Sequence, residues 1–199
     1  ALTLDSAGIV GDLTGSLTTA LPGLSFSTGF QVELNTIGAG DYLRITSQSG
    51  ATLTVLDQAL TATTFTFEKT TADDGDIIVK GSATGLGVQL RSDSTTYVNL
   101  SGGTAVLLLS RSGIAADVSF PVNAGDFTLP AGVTFSATNA RLQFNSGSTA
   151  IDEDIGGVPL VLPAGQFLRV SVTGATLTVS GRTFGGTSNS ATSLPGCAC

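Results

Sequence analysis

Apolar residues alternate with Ser and Thr in several segments, and this period of two constrains the fold more than any other feature. Residues 52–56 read Thr-Leu-Thr-Val-Leu, residues 64–68 read Thr-Phe-Thr-Phe-Glu, and residues 176–179 read Thr-Leu-Thr-Val. Successive side chains of a strand point to opposite faces of a sheet, so this pattern indicates strands with one apolar face. Gly, Asp, Asn and Ser clusters separate the segments. We predict an all-β, antiparallel β-sandwich of jelly-roll or Ig-like type; a β-solenoid of short rungs is the alternative.

Two short segments are apolar without alternation. Residues 77–79 read Ile-Ile-Val, and residues 106–109 read Val-Leu-Leu-Leu. Such runs are typical of strands that are buried on both faces. We therefore expect these two strands to be covered on both sides.

The chain repeats a set of phrases in the same order. Their spacing grows along the chain, and an insertion at residues 146–164 explains most of the growth. We predict two related lobes: a first β unit at residues 1–110, a second, partial unit at residues 111–190, and a flexible tail at residues 191–199. The matched phrases are GIVGDL at 8–13 and GIAADV at 113–118, YLRI at 42–45 and FLRV at 167–170, and GATLTV at both 50–55 and 174–179.

The second copy is shorter than the first. Residues 60–110 follow the GATLTV phrase of the first copy, whereas only residues 180–199 follow it in the second. A sheet that lacks some strands exposes an edge or an apolar face, which recruits another chain. The alternative is that residues 151–161 of the insertion supply the missing strands, and the sequence leaves both open.

The repeated phrases resemble the β-strand repeats of very large secreted or surface bacterial proteins of the adhesin type. The resemblance rests on GDLTGSL, LPGLSFS, YLRI, GATLTV and GGTAVLLL, and on LPAGQFLRV followed by GATLTV at residues 162–179. It covers most of residues 7–182. It implies a structural or adhesive role without an assigned catalytic residue.

Charge and composition restrict the partners and the location. The net charge is −7, and the eight Lys and Arg residues form no cluster, which argues against nucleic acid. No apolar run approaches the ~20 residues that span a bilayer. The chain begins at Ala1 and contains no Met, as expected of a mature secreted chain or of a fragment cut from a longer one. We predict an extracellular or cell-surface location.

Catalysis is not expected of this chain. It contains no His, the commonest general base and a partner of Ser and Cys nucleophiles. Most of its acidic residues stand beside Gly or Ser, where Asp typically stabilises turns. We predict that the protein is not an enzyme.

Acidic clusters suggest calcium, because this ion takes carboxylate and carbonyl oxygens. Neither cluster matches the EF-hand loop, and a solvated acidic turn is the competing interpretation. No other cofactor is predicted. The candidate ligands are Asp73, Asp74 and Asp76 in one turn and Asp152 and Asp154 in the insertion.

The two cysteines, Cys197 and Cys199, lie at the end of the chain behind Pro195 and Gly196. In an oxidising compartment they can join chains or anchor the tail through disulfides. A small ring between them and two free thiols are the alternatives.

These observations predict a structural protein that assembles with itself into a filament, sheath or surface layer. The alternating segment Ala1, Leu2, Thr3 and Leu4 is the candidate for strand exchange, because an added strand binds a sheet edge through main-chain hydrogen bonds. The alternative is an adhesion or ligand-binding module of a bacterial surface protein, stabilised by calcium.

Overall fold

The computed structural model describes residues 2–5, 8–21, 24–37, 41–55, 58–71 and 75–193. Fourteen strands account for most of this part of the chain, and it contains no helix. The strands are β1 (Leu2–Asp5), β2 (Gly8–Leu21), β3 (Leu24–Asn35), β4 (Tyr42–Val55), β5 (Gln58–Ala62), β6 (Thr64–Thr71), β7 (Ile77–Ser92), β8 (Thr95–Ser110), β9 (Gly113–Val122), β10 (Val133–Asn145), β11 (Ile151–Ile155), β12 (Val158–Leu162), β13 (Phe167–Val179) and β14 (Arg182–Ser193).

Twelve strands form one large sheet, and β11 and β12 form a separate hairpin. The order in the large sheet is β1-β2-β3-β4-β5-β7-β8-β9-β10-β13-β14, and β6 continues the position of β5 between β4 and β7. Every strand pair is antiparallel. The prediction of an all-β antiparallel fold is confirmed, and the two sheets are consistent with a β-sandwich.

The strand order follows the chain as a meander. Jelly rolls and Ig domains contain Greek-key connections, in which a strand crosses over others to find its partner. The described strands of the large sheet make no such crossing. Their order in the sheet is their order in the chain, and only β11 and β12, which form the separate hairpin, are missing from it. Antiparallel neighbours also differ from the stacked rungs of a β-solenoid.

Register divides the large sheet into two chemically different faces. On one face, Val32, Ile45 and Phe67 are direct neighbours in β3, β4 and β6. On the same face, a row joins Leu107, near the end of the first copy, through Ala116 and Phe144 to Leu168 of the second. We call this the apolar face. The opposite face has charged rows, such as Glu33, Arg44, Glu68 and Lys80.

The hairpin β11–β12 packs on the charged side of the large sheet, which we call the hairpin face. It covers parts of β7, β8 and β9, where its residues Leu160 and Leu162 are completely or almost completely buried. The insertion therefore adds a cover to the sheet and no strand to its edge. The buried cluster beneath the hairpin consists of Val106, Leu108, Ala115, Ile155, Leu160, Leu162 and Phe167.

The two copies share an irregularity in mid-strand. Gly50 in β4 and Gly174 in β13 begin the GATLTV phrases, and both have positive φ, +76° and +62°. The register shifts beside each of them. A Cβ on Gly174 would lie 2.5 Å from Thr138 Oγ1. The phrase therefore begins with Gly because a bulge requires both the backbone conformation and the space.

Equivalent hydrogen bonds recur in both copies. The Ile9 backbone N donates to Thr36 Oγ1 at 2.9 Å, and the Ile114 backbone N donates to Ser146 Oγ at 2.8 Å. The predicted boundary near Ser110 falls at the turn between β8 and β9, and these two strands pair with each other. The two copies thus belong to one continuous sheet.

Candidate assembly edges and charged rows

The outer edge of β2 is largely uncovered by other strands. β1 pairs with residues 8–11 of β2, and no described strand lies beside residues 13–21 on that side. Leu13 exposes 64% of its surface there. An uncovered strand presents a row of backbone donors and acceptors that another strand can bind. Residues 13–21 therefore form the first candidate assembly edge.

β14 forms the second candidate edge. It pairs along its length with β13, and no described strand lies on its other side. Its counterpart after the first GATLTV phrase is the position shared by β5 and β6, which pairs with both β4 and β7. The second copy thus lacks, in the described part of the chain, the neighbour that completes the first.

The two edges run in opposite directions. Ten strand positions extend from β2 to β14 when β5 and β6 count as one, and each is antiparallel to the next. An even number of alternating positions leaves the first and last strands antiparallel. A copy placed beside the sheet in the same orientation therefore presents its β2 antiparallel to β14.

The predicted exchange segment lies within this chain's own sheet. Leu2, Thr3 and Leu4 belong to β1 and pair with Gly11, Val10 and Ile9 of β2 in the order of the chain. Ala1 lies outside the described residues. Pairing of this segment with a neighbouring subunit stays a prediction.

A buried carboxylate organises the charged row of the second copy. Asp117 on β9 accepts hydrogen bonds from Arg141 Nε, at 2.8 Å to Oδ1, and from Gln143 Nε2, at 3.1 Å to Oδ2. Arg141 Nη2 also contacts Asp117 Oδ2. The hydrogen bonds to Asp117 raise the pKa of the Arg141 guanidinium above its usual value, against the opposing effect of burial. This network fixes the relative position of β9 and β10.

The first copy has a more exposed version of the same row. Arg44 donates from Nε to Glu68 at 2.7 Å and from Nη1 to Glu33 at 3.1 Å. The hydrogen bond to Glu68 raises the pKa of Arg44, again against desolvation. The guanidinium lies 5.2 Å from the ring centre of Tyr42. Glu33 and Glu68 are therefore ion-pair partners of Arg44, and this role is structural.

A corresponding arginine stands in the second copy. Arg169 occupies the position of Arg44, and its guanidinium lies 5.0 Å from the ring centre of Phe167. Its Nη1 donates to Gln143 Oε1 at 3.4 Å. The phrases YLRI and FLRV therefore each provide an arginine stacked on the aromatic residue two positions before it.

An open groove of about 670 Å³ runs along the bulges of the first copy. Its lining is uncharged and rich in hydroxyl groups, so it offers hydrogen bonds but no strong electrostatic attraction. The lining residues include Ser27, Thr28, Ser47, Ser49, Thr61 and Thr63.

Two of the three described calcium candidates have protein partners. Asp76 Oδ1 accepts from Arg111 Nη1 at 3.2 Å, and Asp154 Oδ1 accepts from the Gly157 backbone N at 2.9 Å in the hairpin turn. Asp152 lies exposed in β11. Within the described ranges there is no group of three or more acidic, His or Cys residues that could hold a metal ion. Asp73 and Asp74 lie outside these ranges, and calcium binding stays a prediction.

Cys197 and Cys199 also lie outside the described residues, so their disulfides stay predictions. The part of the chain that the structure describes has no helix long and apolar enough to cross a membrane. Comparisons with models of protein families, with curated proteins and with solved structures gave no match.

Proposed function

We propose that this chain is an extracellular structural protein that assembles with itself, edge to edge, into a filament, sheath or surface layer. The observation that carries the proposal is the pair of uncovered edges, residues 13–21 of β2 and the whole of β14, at opposite ends of one sheet. Edges of this length bind a further strand through main-chain hydrogen bonds.

The contact is between two different surfaces. β2 of one subunit lies antiparallel to β14 of the next, as β8 lies beside β9 inside the chain. A contact of this kind leaves a free β14 and a free β2 at the two ends of every assembly. It therefore continues indefinitely unless the rotation between subunits closes a ring.

Strand exchange extends the contact. In the single chain, β1 folds back on residues 8–11 of β2 and shields them. When this β1–β2 hairpin opens, β1 continues in the direction of β2 and pairs with the neighbour. The pairs lost inside the chain are replaced by pairs between chains, so the exchange has a low net cost.

The composition and the resemblance support the structural role and the location. Charged residues make up 12% of the chain, about half the usual share. Hydroxyl and amide groups therefore provide most of its polar surface, as in many secreted β-proteins. The repeats that the chain resembles are regarded as structural or adhesive and belong to secreted or surface proteins.

The decisive experiment places charges on one edge. In Ser16→Lys/Thr18→Lys, two exposed residues of β2 on the hairpin face become lysines, which natural edge strands use to prevent pairing. The matched control is Asn99→Lys/Ser101→Lys on exposed positions of the interior strand β8. We expect electron microscopy and sedimentation to show polymers for the wild type and the control, and none for the edge variant.

The edge variant also provides a capping test. It keeps an unmodified β14, so small amounts should stop the growth of wild-type polymers from one end. Removal of residues 1–12 deletes β1 but keeps residues 13–21 of β2, so it should abolish strand exchange and shorten the polymers. If the edge variant polymerises as the control does, assembly through β2 is wrong; if the truncated chain polymerises as the wild type does, strand exchange is wrong.

A further inference from the structure

Successive residues of β8 differ strongly in their exposure. Val106 and Leu108 are 3% and 7% exposed beneath the hairpin, whereas Leu107 and Leu109 on the apolar face are each 41% exposed. The sequence Val-Leu-Leu-Leu is typical of a strand buried on both sides. This chain covers one side of that strand and leaves the other open.

The exposure extends over the whole apolar face. Apart from the hairpin on β7, β8 and β9, no described element packs on either face of the large sheet to a comparable extent. Lys69, near the end of β6, is a charged residue that the register places on the apolar face. Exposed large hydrophobic residues of this face are Leu13, Leu60, Phe65, Leu107, Leu109, Ile114, Leu142, Leu168, Val170, Leu177, Val179 and Phe184.

The surface area shows how large a partner the face needs. The chain exposes 11712 Å². A compact monomer of this size exposes about 8,700 Å², which leaves an excess of about 3,000 Å² over the whole chain. Stable interfaces bury about 800 Å² on each partner, and obligate homodimers bury more. About a third of this excess on the apolar face would be enough for a stable interface and would exceed the patches usual on monomers.

We infer that the apolar face is covered by the apolar face of a second copy, so that two large sheets pack face to face as a sandwich. Two sheets with the same twist pack with their strands within about 30° of each other, and their inner side chains fill a layer about 10 Å thick. The charged rows and the hairpins of both copies then lie on the outside. The charged row of Glu33, Arg44, Glu68 and Lys80 is kept away from the contact in this arrangement.

This contact is separate from edge-to-edge growth, so the two are tested separately. The starting protein is Ser16→Lys/Thr18→Lys, in which the β2 edge is blocked. Into it we introduce Leu142→Glu or Leu107→Glu, both on the apolar face and both exposed in the single chain. The matched control is Val161→Glu, because Val161 is 55% exposed on the outer side of the hairpin.

We expect the starting protein and the Val161→Glu control to be dimers in sedimentation velocity experiments. One buried glutamate without a partner in each of the two chains should raise the dimer dissociation constant about a hundredfold or more. The glutamate variants should remain folded by circular dichroism and should bind the dye ANS more strongly, as monomers with an open apolar face. Two glutamate positions are used so that a folding defect at one of them leaves the other as the test.

Other results overturn the inference. These are a monomeric starting protein at the highest soluble concentration, dimers that survive both apolar-face variants, or a starting protein that binds phosphatidylcholine vesicles instead of dimerising. Dimers without filaments in the unblocked wild type contradict the proposed edge contact only. Filaments that are unchanged in width by Leu142→Glu contradict the face contact only.

Discussion

Arg141 and Arg44 make similar contacts with carboxylates at different depths. The side chain of Asp117, the partner of Arg141, is 6% exposed, whereas that of Glu33, a partner of Arg44, is 35% exposed. Both arginines have a raised pKa, because hydrogen bonds to carboxylates favour the charged form. A raised arginine pKa stabilises the fold at every pH below the unfolded value and loses this effect only as the pH rises through the folded value. Deprotonation of these arginines is therefore irrelevant near neutral pH.

We expect Asp117→Asn to lower the free energy of unfolding by about 2 kcal/mol, because Arg141 and Gln143 lose a charged acceptor in a buried place. Glu33→Gln should cost less than about 1 kcal/mol, because its ion pair is half exposed and screened. Urea unfolding at neutral pH measures both. Equal losses of unfolding free energy in Asp117→Asn and Glu33→Gln would show that burial of the carboxylate does not determine its contribution to stability.

At the scale of elements, the hairpin β11–β12 buries one side of its strand β12 against the large sheet and exposes the other. Its second strand, β12, contains Leu160, Val161 and Leu162, of which only Val161 is exposed. Lys80 on β7 and Glu153 on β11 form an ion pair at 3.0 Å beside this core. The hairpin therefore holds to the large sheet through one row of leucines and a peripheral ion pair.

We expect Leu160→Ala to cost about 3 kcal/mol, because it removes a completely buried side chain and leaves a cavity. Val161→Ala, one residue further, should change the free energy of unfolding by less than about 0.5 kcal/mol. Guanidinium unfolding curves of the two variants provide the comparison. A small effect of Leu160→Ala would mean that the hairpin contributes little to the cooperative core.

The alternation of residues 52–55 and 176–179 correctly predicted strands, because a period of two has no stable helical alternative. The repeated phrases also predicted features that recur in the structure, such as Gly50 with Gly174. Alternation assigns residues to a face but does not say what covers that face. The separate hairpin and the open side of β8 therefore could not be derived from the sequence. The partners of Asp117 depend on register, which the phrases do not determine.

At the scale of the whole molecule, two of the described acidic candidates have protein partners. Asp76 binds Arg111, and Asp154 caps the turn of its own hairpin. The uncovered edges and the apolar face are instead surfaces suited to contacts between chains. The adhesion alternative differs from assembly in requiring a ligand or ion that stabilises the single chain.

We expect the melting temperature to be the same in calcium and in EDTA to within about 1 °C. An ion that binds only the folded state raises the apparent stability with the logarithm of one plus its concentration over its dissociation constant. Differential scanning fluorimetry of the edge-blocked protein measures this without interference from polymerisation. A calcium-dependent rise of several degrees would favour the adhesion module.

The even number of strand positions also determines how two units could be joined within one polypeptide. Because β14 runs opposite to β2, it ends at the side of the sheet where β2 of a following unit would start. A tight turn, like that between β8 and β9, would be enough to link the two covalently. Tandem copies in a single polypeptide would then prolong the meander without a crossing segment, and gain or loss of a whole hairpin would preserve this compatibility.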